Sequence, residues 1–245
     1  MRYAVLACGL VTACGRIDFD PLGDAPSAPT DGTDAAGDAA GDAAMLSDLL
    51  VHFAFDKQDL RFDSAAVPHD ATCTDCPTPT AGRVGSGAAL FNATKCLTVP
   101  NTRTLQPATF TFAAWVRPRV SHTGTVFGRA RDGANTLSNT FEIWVDLSPA
   151  WNVAVRGGRL GGASTAGAWQ HYAATYDGTS VAVYVDGVFD ATTPVVLMAY
   201  TPDDLAIGCD QNFGSFVQRF DGAIDDVRLY GRALTPAEVA ALAAM

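Results

Sequence analysis

The sequence predicts an all-β protein: an antiparallel two-sheet sandwich closed by one short C-terminal helix. Three observations carry this expectation. Short apolar or alternating runs recur from Leu49 to Tyr230, punctuated by Gly, Asp and Pro. The dipeptides Asp177-Gly178 and Asp186-Gly187 stand between such runs, where tight antiparallel turns need a residue tolerant of positive φ. Only Pro236 to Ala244 reads as helix, so crossover helices for a parallel sheet are lacking.

Taken in order, Leu49 to Phe55 is an apolar opening strand ending at Asp56. Ala88 to Phe91 and Cys96 to Val99 flank a turn at Asn92. Thr109 to Arg117 alternates, with Phe110, Phe112, Ala114 and Val116 on one face and Thr111, Ala113, Trp115 and Arg117 on the other. Phe141 to Leu147 sets Phe141, Ile143, Val145 and Leu147 against Glu142, Trp144 and Asp146. Trp151 to Arg156 follows a proline turn, and Trp169 to Tyr176 with Val181 to Val185 makes a hairpin. Leu205 to Gly208 and Phe216 to Phe220 are short strands. A turn at Asp221-Gly222 precedes a strand from Ile224 to Tyr230, which Gly231 breaks. Thr235 is then the N-cap, Pro236 the first helical residue and Glu238 the partner of a capping box.

The formal net charge is −10, but its weight lies outside the β region. Residues 17–48 hold eight Asp and no Lys or Arg, whereas 18 acidic and 14 basic residues follow from Leu49 onward. A mildly acidic domain has no electrostatic reason to bind nucleic acid or an anionic membrane. Residues 17–45, with DAAGDAAGDAA at 34–44, bury too little apolar surface to order themselves and read as an extended, self-repelling tether. Residues 1–16 read as an export signal. Arg2 and the apolar stretch Tyr3 to Val11 precede Val11-Thr12-Ala13-Cys14, which resembles a bacterial lipobox with Cys14 as the lipidated residue. Gly15 follows where an inner-membrane retention signal would carry Asp, so the expected destination is the outer membrane or surface of a Gram-negative cell, or secretion if the signal is cleaved without lipidation. Contact with membrane is then through the lipid anchor alone.

Four further cysteines, Cys73, Cys76, Cys96 and Cys209, suit two disulfides in an exported chain, with three pairings open. Cys73-x-x-Cys76 lacks the second close ligand pair of a zinc site, and Pro77 and Pro79 follow it where a redox motif would begin a helix.

Several segments, in order, resemble laminin-G-like (LamG) jelly-roll domains of the concanavalin A-like lectin/glucanase superfamily. They are LVHFAFD (50–56), GSGAALFNATKCLTVP (85–100), TFTFAAWVRP (109–118), AWQHYAATYDGTSVAVYVDGV (168–188), LAIGCD (205–210) and FDGAIDDVRLYGRALTPAEVAAL (220–242). The resemblance implies one jelly roll over 46–245, with GSGAALFNATKCLTVP as its second hairpin. Residues 63–84 depart from the family pattern with HDATCTDCPTPTAG, a local disulfide-stapled variation. The resemblance also implies a Ca²⁺ site near the chain ends, carried onto Asp56 and Asp225. Two side chains cannot supply the six to eight oxygens calcium needs, so carbonyls and water would complete the set.

Superfamily glucanases carry carboxylates on alternate residues of one strand. Here Glu142 and Asp146 are separated by Trp144, about 13 Å apart by strand rise, too far for a two-carboxylate glycosidase. The four histidines have no recognisable nucleophile beside them, and His171 reads as a hydrogen-bonded sheet residue. Trp115, Arg117, Glu142 and Trp144 oppose the aliphatic faces of their strands, and aromatics beside polar groups suit sugar rings. The loops Arg129 to Asn139 and Asp210 to Ser215 would rim that face. The expectation is a non-catalytic extracellular binding or adhesion module for carbohydrate or protein. A glycan hydrolase or lyase, and a purely structural envelope protein, are the alternatives.

Overall fold

The computed structural model describes residues 48–119, 124–132, 139–146, 150–155, 158–195 and 199–245, all within one compact unit. The export signal, Cys14 and the tether lie outside the described residues. Strands β1 (Leu49–Phe53), β2 (Thr78–Thr80), β3 (Ala88–Asn92) and β4 (Leu97–Val99) come first. A 3-10 turn at Arg103–Leu105 leads to β5 (Phe110–Pro118), β6 (Gly124–Ala130), β7 (Asn139–Val145), β8 (Ala150–Val155) and β9 (Gly158–Ala163). Then follow β10 (Gln170–Tyr176), β11 (Ser180–Val185), β12 (Val188–Pro194), β13 (Leu205–Ile207), β14 (Asp210–Asn212), β15 (Ser215–Val217) and β16 (Asp221–Tyr230). Helix α1 (Pro236–Ala243) closes the chain.

The strands form an antiparallel two-sheet sandwich of the jelly-roll type. The first sheet runs β12-β11-β10-β5-β16-β3-β2, with β1 also paired to β16. The second runs β4-β13-β6-β7-β8-β9, and β14–β15 is a separate ribbon. Strand β16 is the organiser. Its first half pairs with β3 and its second half with β1, and the break falls at Asp226, whose positive φ of 49° makes a bulge. Phenylalanines from both sheets interlock in the core: Phe112 stacks on Phe127 at 4.3 Å between centroids, and Phe110 meets Phe141 at 4.9 Å. Such close aromatic contacts add to the burial of large apolar surface.

A smaller core lies on the opposite face of the first sheet. Ala113 and Ala173 are small enough to admit α1, whose Val239 and Leu242 pack there with Tyr184, Tyr230 and Leu234. The helix starts as its sequence requires: Thr235 Oγ1 accepts from the Glu238 amide, and Glu238 Oε2 accepts from the Thr235 amide. Arg232 forks onto Glu238, and that hydrogen bond holds its carboxyl down at about 2.

Three sequence expectations change. Strands β3 and β4 are not a hairpin: β3 pairs with β16 in the first sheet and β4 with β13 in the second. The turn at Ala93, with φ 61°, therefore carries the chain from one sheet to the other. Asp221 and Gly222 belong to β16 rather than to a turn, because both Asn92–Phe91 and Pro118 offer ladder partners. Strands β2, β6, β9, β12 and β14 escaped the sequence reading, the last standing where a rim loop from Asp210 to Ser215 was expected. Strands β6 and β9 are interrupted by glycine, and β2 carries Pro79, which an edge strand tolerates. The Asp177-Gly178 and Asp186-Gly187 turns stand where expected, joining β10 to β11 and β11 to β12. The disulfides are Cys73–Cys76 and Cys96–Cys209.

Candidate functional site

The outer face of the second sheet gathers the most polar groups. In β7, Phe141, Ile143 and Val145 point into the core, so Glu142 and Trp144 point outward. Register places Gly128 opposite Glu142 and Thr125 opposite Trp144 on β6. The Thr125 hydroxyl donates to Glu142 Oε1 at 2.6 Å, and Asn139 Nδ2 donates to Glu142 Oε2 at 2.9 Å. Gln218, after β15, meets Thr125 on its other side at 3.3 Å. Asp210, at the start of β14, is 3% exposed and shares Asn139 as a hydrogen-bond donor. Burial, reinforced by the Asp210 charge, pushes the Glu142 carboxyl up to about 7. Burial also raises Asp210. The site therefore holds two neighbouring carboxyl groups, both raised by burial and one of them to about 7, beside a half-buried indole.

Asp210, 68 residues from Glu142 in sequence, was expected only as the first residue of a rim loop, not as a site carboxylate. Its signal was Cys209: a disulfide to Cys96 fixes the start of this ribbon at the second sheet.

The four residues expected to share a ligand face do not. Trp115 and Arg117 belong to β5 in the first sheet, and Glu142 and Trp144 to β7 in the second. Outward residues of two stacked sheets point in opposite directions. Trp115 is only 5% exposed, with Arg83 over its ring at 4.4 Å and His171 edge-on at 5.4 Å. Arg117 lies over Trp169 at 4.7 Å. His171 departs from expectation too: its Nδ1 lacks a hydrogen-bond partner, and burial lowers the imidazole to about 4. Of the expected rim loops, residues 133–138 lie outside the described residues.

Asp56 and Asp225 hold one glycine-rich turn, residues 82–87, from two sides. Asp56 Oδ1 accepts from the amides of Ser86 and Gly87 and from the Ser86 hydroxyl. Burial raises this carboxyl, but those donors outweigh it and the net direction is down. Asp225 Oδ2 accepts from the amides of Arg83 and Val84, and the Asp226 amide is a third donor near the carboxylate, whereas Oδ1 is buried and makes no close hydrogen bond. Burial pushes Asp225 up to about 6. An orphaned buried carboxylate oxygen is the donor a hard cation seeks. Asp225 meets that test; at Asp56 the three donors of the turn all go to Oδ1, and Oδ2 accepts none of them. Among the described residues, no three His, Cys, Asp or Glu side chains converge on a metal-sized site. Next in sequence, Asp226 binds His52 Nε2 at 2.7 Å and the Arg228 guanidinium at 3.0 Å.

Residues 91–240 match the family model described as the concanavalin A-like lectin/glucanases superfamily. Among solved structures, the chain is similar to domain 4 of AbnA, a GH43 extracellular arabinanase from Geobacillus stearothermophilus, solved in complex with arabinotriose. The TM-score is 0.61 at 26% identity, covering 80% of this chain and 98% of that one. The binding domain of Paraclostridial Mosquitocidal Protein 1 aligns with a TM-score of 0.63 at 13% identity, covering 81% of this chain and 52% of that one. The binding domain of botulinum neurotoxin DC, solved with rat synaptotagmin II, aligns at 0.61 and 10% identity, covering 82% and 52%. The chain thus spans about half the length of these toxin domains, and at such identities they share the fold. No curated protein matches the chain.

Proposed function

Since the chain belongs to the concanavalin A-like lectin/glucanases superfamily, we propose that it is a binding module that takes carbohydrate on the outer face of its second sheet. One observation carries this reading: half-buried Trp144 stands on that face beside Glu142, Thr125, Asn139 and Asp210, a set fixed by its own hydrogen bonds. An indole offers an apolar platform to a sugar ring, while carboxylates and amides meet its hydroxyl edge. Residues mounted on paired strands are held more rigidly than residues on loops, which lowers the cost of ordering on binding. The arabinanase domain, almost fully covered and 26% identical, supports a carbohydrate ligand through its arabinotriose complex. The synaptotagmin complex of the toxin domain makes protein the alternative partner.

The reading sets this module outside the cell. Two disulfides fit an oxidising compartment, and a lipid on Cys14 with residues 17–45 as tether would hold the domain at an outer-membrane surface. Calcium is part of the reading at Asp225, where Oδ1 would donate to the ion beside carbonyls and water. The ion would neutralise a buried carboxylate and stiffen the 82–87 turn. Isothermal titration of the full chain with arabinotriose tests the sugar reading. Saturable binding that Trp144→Ala abolishes is expected, and heat unaltered by that substitution would refute the site.

One observation favours a second reading, glycan hydrolysis. Two carboxyl groups that share the Asn139 amide, one raised to about 7, are a pairing that acid-assisted glycoside cleavage could use. Product release from arabinan by the full chain, lost in Glu142→Gln, would favour hydrolysis. Binding without turnover would leave the binding module standing.

A further inference from the structure

The β14–β15 ribbon has two working sides. Asp210 and Gln218 face Glu142 and Thr125, as described above. Phe216 and Arg219 face the other way, into a cleft of about 380 Å³ at the β4 edge of the second sheet. Its opposite walls are Thr72, Thr74 and Asp75 from the disulfide-stapled segment and Thr94 and Thr98 beside β4.

Each wall is pinned. Thr72 and Thr98 exchange backbone hydrogen bonds at 2.7 and 2.9 Å, and their hydroxyls meet at 2.9 Å. Cys73–Cys76 closes the first loop, and Cys96–Cys209 ties the second wall to the residue before β14. Arg219 donates to the Thr94 carbonyl at 2.7 Å and lies over the Phe216 ring at 6.0 Å. A cleft already held in shape loses little entropy when it is filled.

The lining chemistry selects the ligand. The Thr72 and Thr98 hydroxyls bond each other and Thr94 donates to Asn92 Oδ1, so beside the Thr74 hydroxyl these three offer a ligand mainly acceptor lone pairs, which suit a molecule bearing many hydroxyls. Phe216 is 38% exposed and offers an aromatic face. Asp75 is ion-paired with Lys95, and Arg219 is directed at a carbonyl and a ring. Asp75 remains open to solvent, so its carboxylate can still accept from a ligand. The volume is within the range of small-ligand sites.

We infer that this cleft is a second saccharide subsite, taking an oligosaccharide whose ring stacks on Phe216 and whose hydroxyls donate to the threonine oxygens and Asp75. It is separate from the Glu142–Trp144 face and stands or falls independently of it. The test is ¹H–¹⁵N correlation spectroscopy of the full ¹⁵N-labelled chain, titrated with arabinotriose, xylotriose, cellotriose and maltotriose, with trigalacturonate as the charged probe. Saturable shifts of the Thr72, Thr74, Thr94 and Thr98 amides with a trisaccharide are expected, weakened tenfold or more in Phe216→Ala. The inference is overturned if no trisaccharide moves those amides, or if Phe216→Ala leaves the affinity unchanged. Shifts at Glu142 and Trp144 are read separately. Cleft shifts without them would support this subsite and count against the outer-face reading, and the reverse pattern would do the opposite. Unchanged spectral dispersion in Phe216→Ala confirms that the variant is folded.

Discussion

Thr125 donates its hydroxyl to Glu142 across the β6–β7 pairing at 2.6 Å, and the carboxyl it binds is nine-tenths buried. That hydrogen bond and the one from Asn139 favour the ionised form, but desolvation and the neighbouring Asp210 outweigh both, and Glu142 titrates at about 7.

Glu142 therefore makes stability depend on pH. Its folded pKa lies above its unfolded value of 4.5, so the folded chain binds more protons between about 4.5 and 7. Stability falls as pH rises through that window, by about 3 kcal/mol at most. Glu142→Gln removes this slope. Urea melts at pH 5 and pH 8 should show the variant gaining on the parent at the higher pH. An equal difference at both pH values would contradict the buried, proton-retaining carboxyl.

The two disulfides differ in what they constrain. Cys96–Cys209 closes a loop of 113 residues and Cys73–Cys76 one of 3. In the chain-entropy account a hundred-residue loop contributes about 4.7 kcal/mol. Replacing Cys96 and Cys209 by Ser should lower the unfolding midpoint strongly, and replacing Cys73 and Cys76 should cost far less. The second pair should instead loosen the 72–75 wall, visible as faster amide exchange at Thr72 and Thr98.

Much of the sandwich was legible because its signals are local. Alternation in Thr109 to Arg117, the Asp-Gly turns and the Thr235 capping box each depend on residues a few positions apart. What escaped depends on contacts distant in sequence. Nothing near Asn92 says that the strands on either side part to different sheets, since that follows from β16 and β13 claiming them. Trp115 and Trp144 have the same local pattern, and only the sheet order shows that they face opposite sides. Asp210 reaches Glu142 through a topology closed by the Cys96–Cys209 disulfide. The role of Asp56 in holding the 86–87 amides was also hidden, because it depends on a turn 30 residues away.

Calcium at Asp225 has a thermal signature. An ion bound to the folded state alone, at a hundred times its dissociation constant, stabilises by about 2.7 kcal/mol. Adding calcium to chelator-treated protein should raise Tm, and Asp225→Asn should remove the response. An unchanged Tm in the parent would count against the site. Asp56→Asn should lower Tm with or without calcium, because Asp56 acts through the Ser86 and Gly87 amides.

The helix cap is a separable contribution. Thr235→Ala removes the hydroxyl that accepts from the Glu238 amide. It should cost about 1 kcal/mol, read as a lower urea midpoint with an unchanged slope.

The central claim is carbohydrate recognition on the face that carries Glu142 and Trp144. The most direct test is a glycan array probed with the full chain and with Trp144→Ala, each in calcium and in chelator. The account predicts selective binding by the parent that Trp144→Ala abolishes. A blank array for the parent, or binding that survives loss of the indole, would contradict it.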